Sequence, residues 1–181
     1  MSILTDQVLA ALPQTQCEEC GYKGCRPYAE AVVNGEGIDL CAPGGEPVHQ
    51  ALQAITGRVG DSQKVLDRFV LPSKAVIDQS VCIGCTKCIK PCPTAAIVGY
   101  QKMNHFVVAV DCTGCGLCVD YCPVDCITLE HDDLSHKGAL SLAHEYQSLY
   151  EKKKITDLEK SLEVKQKKDI LKDIDDILSG L

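Results

Sequence analysis

The chain has 181 residues, 45% of them hydrophobic and 24% charged, which is a globular composition rather than a disordered one. Its formal net charge of −7 speaks against nucleic acid as a partner, and no stretch approaches the roughly 18 apolar residues of a membrane helix, so no direct membrane span is expected. Aromatic content is only 4%, with no Trp, so large rings cannot anchor the core and something else must hold the chain together.

The first twelve residues, MSILTDQVLAAL, carry Asp6 and no Lys or Arg. They read as a short amphipathic helix that stops near Pro13, not as a signal peptide. Four cysteines follow, Cys17, Cys20, Cys25 and Cys41, spaced C-x2-C-x4-C-x15-C. Gly21 and Gly24 allow a tight wrap, and Pro43-Gly44-Gly45 follows the last cysteine. By chemistry alone, four thiolates so spaced could hold zinc or an iron–sulfur cubane. The pattern predicts a helix over Arg26–Asn34 ending at Gly35. It predicts another from Pro47 through Val48, Ala51, Leu52 and Ile55 to Gly57. These elements define a first unit over residues 1–71.

Residues 72–130 contain an internal repeat. Cys82, Cys85, Cys88 and Cys92 recur as Cys112, Cys115, Cys118 and Cys122, offset by 30 at every position. The flanks repeat as well: Ala75-Val76-Ile77 and Phe106-Val107-Val108 precede the two sets, and Ile97-Val98 and Ile127-Thr128 follow them. Each half therefore reads as strand, cysteine loop, short helix, strand, and two such halves are expected to pack as a pseudo-symmetric pair. The spacing C-x2-C-x2-C-x3-C-P, present twice, is that of bacterial [4Fe–4S] ferredoxins, in which the fourth cysteine ligates the other cluster. Cys82, Cys85, Cys88 and Cys122 are thus expected to hold one [4Fe–4S] cluster, and Cys112, Cys115, Cys118 and Cys92 another. Crossed ligands would tie the halves together through iron and substitute for an aromatic core. Gly84 and Gly114 stand where the backbone must curl close to a cluster, and Pro93 and Pro123 turn the chain away.

Cys126, the thirteenth cysteine, aligns with Ala96 under the offset of 30 and is expected to be a buried free thiol. His49, His105, His131, His136 and His144 are scattered and form no ligand pair; each reads as structural or exposed. Lys87, Lys90 and Lys102, set against Asp111, Asp120 and Asp125, read as solvated surface more readily than as a docking patch.

Residues 131–181 hold no cysteine and carry 9 basic and 11 acidic residues. Asp133 or Ser135 could cap a helix through Leu140, Ala143, Tyr146 and Leu149. Thr156-Asp157-Leu158-Glu159 fits a capping box for a second helix striped by Ile170, Ile174, Ile177 and Leu181. The tail reads as a solvated helical extension, with a partner-docking arm as the sharper reading. Overall the fold class expected is α+β: a small helical four-Cys Fe–S module, a ferredoxin domain and a helical extension.

Thirteen cysteines, an odd number at short gaps, suit thiolate ligation rather than a disulfide scaffold. That chemistry needs a reducing compartment, so the chain is expected to face the cytoplasm. Each oxidised cubane with its thiolates adds about −2, which favours a basic protein patch as docking target. No catalytic constellation and no flavin or nicotinamide fingerprint is visible. The chemistry implied is single-electron transfer, with the chain setting potential and access.

The order of these modules carries a resemblance. Thr15-Gln16-Cys17-Glu18-Glu19-Cys20-Gly21-Tyr22-Lys23-Gly24-Cys25, then Cys41-Ala42-Pro43-Gly44-Gly45, then the two ferredoxin motifs, together resemble the B subunit of the Rnf-type electron transport complex over about residues 4–130. The resemblance implies a third [4Fe–4S] cluster on Cys17, Cys20, Cys25 and Cys41. It implies redox partners among the membrane subunits of such a complex, which couples electron flow between reduced ferredoxin and NAD to ion movement. It places the chain peripherally, on the cytoplasmic face of the inner membrane. Members of that family typically begin with a membrane-spanning helix, which this sequence does not show. A free-standing soluble polyferredoxin that donates electrons to a soluble enzyme is the alternative.

Overall fold

The structure, a computed structural model, describes residues 3–132 and 140–179, excepting the side chains of residues 173–179. It is an α+β arrangement of helices and small antiparallel sheets. Helix α1 (Ile3–Ala11) ends just before Pro13, and α2 (Cys25–Val33) runs to Asn34 and Gly35. Helix α3 (Gly45–Thr56) closes on Gly57 in the left-handed conformation, φ 68°, where glycine carries no Cβ penalty. A fourth helix, α4 (Ser62–Arg68), was not expected. Its cue is Asp61, whose carboxylate accepts from the Gln63 and Lys64 N–H groups as an N-cap, with Val65 buried one turn on.

One apolar cluster joins these helices. Val8, Leu9 and Leu12 meet Tyr28, Ala29 and Val32 of α2 and Val48 and Leu52 of α3, each set spaced at helical period. Cys25 is itself in that cluster, with Cys20 and Cys41 packed against it.

The cysteine repeat folds around two ribbons. Strand β1 (Ser73–Ile77) pairs antiparallel with β4 (Ile127–His131), and β2 (Ile97–Val98) pairs antiparallel with β3 (Phe106–Val107). The first strand of each expected half thus pairs with the last strand of the other. The expected short helix in each half is not formed. The segments after Cys85 and Cys115 are turns, closed by Ile89 N–H to Thr86 O and Val119 N–H to Gly116 O. The second core consists of Ala75, Ile77, Ala96, Ile97 and Ile127 with Cys88, Cys92, Cys112, Cys118 and Cys126, so sulfur fills the place of rings.

The tail departs from expectation too. One helix, α5 (Ala143–Ser179), replaces the two expected. No Gly or Pro interrupts it, and Lys and Glu sustain helix through the supposed boundary. Thr156 Oγ1 does not cap a new helix; it donates to Lys152 O one turn back, within the same one. Asp133 and Ser135, the proposed caps, lie outside the described residues. Tyr146 is buried at the start of α5, and Leu140 packs on the N-terminal core. Beyond Ile155 the described side chains are largely exposed. No helix among the described residues is long and apolar enough to cross a membrane.

Candidate iron–sulfur centres

The twelve cysteines singled out by spacing gather in three groups of four. One small space is lined by Cys82, Cys85, Cys88 and Cys122 with Ile77, Val124 and Ile127. A second is lined by Cys92, Cys112, Cys115 and Cys118 with Ala75, Ala96 and Ile97. In each, three sulfurs come from one half of the repeat and the fourth from the other. The third group is Cys17, Cys20, Cys25 and Cys41. Cys41 feels the charges of the other three, and Cys25 those of Cys17 and Cys20.

Glycine makes the close wrapping possible at two matched positions. Gly84 (φ +64°) and Gly114 (φ +69°) both lie in the left-handed region. A Cβ on Gly84 would stand 2.5 Å from the backbone N and O of Met103, and one on Gly114 would run into the carbonyl of Ser73. These loops press on neighbouring backbone with no room for a side chain.

The N-terminal group is held differently. Gln14, Gln16 and Glu18 all adopt positive φ, near 60°, a conformation that non-glycine residues hold only under local constraint. At Gln14 and Gln16 the constraint is a buried amide chain. Gln14 Nε2 donates to Leu9 O at 2.5 Å, Gln16 Nε2 to Gln14 Oε1 at 3.1 Å, and Gln16 Oε1 accepts from the Cys25 N–H at 2.8 Å. Cys25 opens α2, so its sulfur lies at the positive end of a helix dipole. Gly44 passes so close that a Cβ there would stand 2.9 Å from Cys41 Sγ.

Burial makes free thiolates costly at several of these cysteines. It pushes the Cys25 and Cys118 thiols up to about 12, and those of Cys88 and Cys115 up to about 11. In every case burial is the largest cause; the neighbouring cysteines push the same way, while backbone N–H groups oppose it. A cationic metal centre would reverse this balance, since thiolates bind metal only after losing their protons. Backbone N–H groups are already aimed at sulfur. The Ala96 N–H donates to Cys92 Sγ at 3.2 Å and the Cys126 N–H to Cys122 Sγ at 3.3 Å. The Ala75 N–H donates to Cys112 Sγ and the His105 N–H to Cys82 Sγ, both at 3.5 Å.

Four thiolates can hold a single zinc or an iron–sulfur cubane; in the repeat, each set of four lines one space drawn from both halves.

The N-terminal helices and the repeat meet along a seam. Thr113 Oγ1 donates to Thr15 O across it at 3.0 Å, while bonds from Arg68 Nη2 to Glu19 O at 2.6 Å and from the Val70 N–H to Ala42 O at 3.4 Å hold the segment before β1 against the N-terminal unit. A cleft on this seam is lined by Cys17 and Cys115 together with Pro13, Pro43, Lys74 and Tyr146. Lys74 Nζ braces it, donating to Cys112 O at 2.6 Å and to the Tyr146 hydroxyl at 2.9 Å.

Two residues near the centres were read too blandly in the sequence. Cys126 is buried, as expected, but its sulfur lies 3.4 Å from Cys122 Sγ. His105, expected to be merely structural or exposed, is 1% exposed with Nδ1 3.3 Å from Cys88 Sγ. Cys126, four residues from Cys122, could have been found by asking where the two halves of the repeat differ beside a cysteine, whereas His105 is 17 residues from Cys88 and no sequence signal joins them. Lys87, Lys90, Lys102, Asp120 and Asp125 are exposed, in keeping with solvated surface.

Comparison with known proteins agrees with this chemistry. Residues 75–129 match the 4Fe-4S dicluster domain family, and residues 12–43 match an Fe-S cluster family. The B subunit of the ion-translocating oxidoreductase complex of Shewanella sediminis is 50% identical over 105 residues, covering 58% of this chain and 56% of that protein. The protein of the same name from Vibrio cholerae serotype O1 is 52% identical over 106 residues, 58% of this chain and 54% of that one. That from Haemophilus ducreyi is 48% identical over 108 residues, 59% and 51% respectively. The chain therefore spans just over half the length of these relatives, and over the shared stretch it is homologous to them.

Proposed function

We propose that this chain, a homologue of the B subunit of ion-translocating oxidoreductase complexes, is an electron-relay protein that carries three [4Fe–4S] clusters. The clusters would be held by Cys17, Cys20, Cys25 and Cys41; by Cys82, Cys85, Cys88 and Cys122; and by Cys112, Cys115, Cys118 and Cys92. The observation that carries the reading is that each sulfur-lined space in the repeat draws its four cysteines crosswise from both halves.

Cubanes, when bound, take up and release single electrons. The chain's own part is to hold the sites, dry them and fix their order. The cleft shared by Cys17 and Cys115 sets the N-terminal site beside that of Cys112, Cys115, Cys118 and Cys92. In this reading electrons pass between the N-terminal site and that of Cys82, Cys85, Cys88 and Cys122 by way of the site next to the seam. Three units correspond to this organisation: residues 1–71, a pseudo-symmetric ferredoxin pair over 72–130, and the tail over 131–181.

The working context is a membrane oxidoreductase complex, with the chain on its cytoplasmic face and bound through partner subunits. The test is co-purification. In cells that express the membrane subunits, the protein is expected to sediment with them at low salt and to be released as salt rises. Recovery only in the soluble fraction of such cells, with direct reduction of a soluble acceptor, overturns the complex and leaves a free-standing polyferredoxin.

A further inference from the structure

We propose that His105 and Cys126 are potential-setting hydrogen-bond donors that make the site of Cys82, Cys85, Cys88 and Cys122 the higher-potential member of the ferredoxin pair. The proposal rests on the three-cluster reading above.

The repeat itself supplies the comparison. Under the offset of 30, the backbone donors of the two sites match one for one. The Ala96 N–H on Cys92 answers the Cys126 N–H on Cys122, and the Ala75 N–H on Cys112 answers the His105 N–H on Cys82. Main-chain hydrogen bonding therefore gives neither site an advantage. The side chains at these same positions differ. Ala75 and Ala96 offer only methyl groups at one site, whereas His105 brings a ring nitrogen to 3.3 Å from Cys88 Sγ and Cys126 brings a thiol to 3.4 Å from Cys122 Sγ at the other.

The hydroxyls beside the Ala75 and Ala96 site do not make up the difference. Thr94 Oγ1 is 3.9 Å from Cys92 Sγ, but its hydrogen goes to Asp111 O at 2.7 Å. Thr113 is a side-chain hydrogen-bond partner of Cys115, but the single hydrogen of its hydroxyl goes to Thr15 O at 3.0 Å and is not free for sulfur.

The direction of both side-chain bonds follows from ligation. A cysteine sulfur bound to iron has no hydrogen to give, so His105 Nδ1 and Cys126 Sγ must be the donors. His105 Nε2 is buried and has no hydrogen-bond partner among the described residues. A hydrogen on Nε2 would thus be an orphaned buried donor, while Nδ1 would turn a lone pair on sulfur; the Nδ1–H tautomer avoids both costs.

The ring is also held in place. Gln79 Nε2 donates to His105 O at 2.8 Å, and Gly99 (φ +149°) leaves open the space beside the ring, where a Cβ would collide with His105 Cδ2. One-electron reduction adds one negative charge at the site. Donors aimed at its sulfurs stabilise that charge and raise the potential.

The test uses the full chain with its clusters, in an EPR-monitored redox titration at fixed pH on wild type, His105→Ala, His105→Asn and Cys126→Ala. Asn can place an N–H near the position of Nδ1. Loss of one donor is expected to lower the reduction equilibrium constant of a single step about tenfold, or 59 mV for one electron. That step should be the higher of the magnetically coupled pair, and His105→Asn should recover most of the loss. If His105→Ala fails to assemble its clusters, Cys126→Ala and His105→Asn carry the same comparison. Unmoved potentials in variants with full iron content overturn the donor roles and leave the three-cluster reading intact. A fall of all three steps together also overturns them, since that marks a general structural effect. A wild type with no coupled cubane signals overturns the reading on which the proposal rests.

Discussion

Thr113 donates its hydroxyl hydrogen to the carbonyl of Thr15 at 3.0 Å, joining the loop of the second cysteine set to the loop that leads into the first cysteine group. Cys115 and Cys17 lie two residues beyond each partner, so this bond fixes the spacing between two candidate centres. Thr113→Val keeps the shape and removes the donor. It is expected to cost about 1 kcal/mol, a fall in melting temperature of roughly 2–4 °C for a chain of this size. Electron exchange between the N-terminal centre and its neighbour should slow, as read by rapid-freeze EPR. An unchanged melt and an unchanged rate would show that the seam does not depend on this bond.

Gly114→Ala tests the close wrapping of the second loop. The added Cβ would run into the Ser73 carbonyl at the start of β1, and the residue would have to hold φ +69°. A loss of about 2 kcal/mol or more is expected from strain and displacement together. Iron should be lost preferentially from the site of Cys92, Cys112, Cys115 and Cys118. Gly84→Ala should behave alike at the other site, through the Met103 backbone. Full iron content and a wild-type melt in either variant would contradict this account of the loops.

Cys92→Ser and Cys122→Ser test the crossing of the halves. If each fourth ligand serves the opposite set, Cys92→Ser depletes the centre of Cys112, Cys115 and Cys118 and leaves its own neighbours Cys82, Cys85 and Cys88 able to bind. Iron content and EPR of the two variants are then mirror images. The melt should also become less cooperative, because metal no longer ties both halves together. Loss of the adjacent set in each variant would mean uncrossed ligation.

Asp39 provides a pH-dependent element. Burial raises its carboxyl, but the Lys64 ammonium at 2.8 Å and the Asp61 N–H together outweigh that and hold it below its usual 3.8. A carboxyl lowered in the folded state stabilises at pH above its unfolded value, and that contribution is lost as pH falls through the folded one. The Lys64 side chain is 42% exposed, so solvent screening keeps the contribution below about 1 kcal/mol. Wild type should therefore melt slightly above Asp39→Asn at pH 6, and the gap should close as pH falls below 3.8. A gap that persists at low pH would assign the stabilisation to something other than this charge pair.

The parts legible in the sequence were those that a local pattern specifies. The cysteine spacings and the offset of 30 marked the sulfurs that gather, and Gly57 marked the end of α3. Tertiary facts were harder. Asp61 as an N-cap had no long apolar stripe behind it to draw attention to α4. Thr156 had the residues of a capping box but not the break in the preceding helix that such a box requires. His105 stands 17 residues from Cys88 in sequence, and only the packing of β3 against the Cys82 loop brings the two together. The side-chain differences between repeats were visible, but what they touch was not.

The most direct measurement is anaerobic iron and acid-labile sulfide analysis of the purified full-length protein, with zinc counted in the same sample and EPR recorded after dithionite reduction. About twelve irons per chain, four for each of three cubanes, with matching sulfide and interacting reduced-cluster signals, is the result expected. About eight irons with one zinc would contradict it, leaving Cys17, Cys20, Cys25 and Cys41 as a structural metal site at the end of a two-cluster carrier.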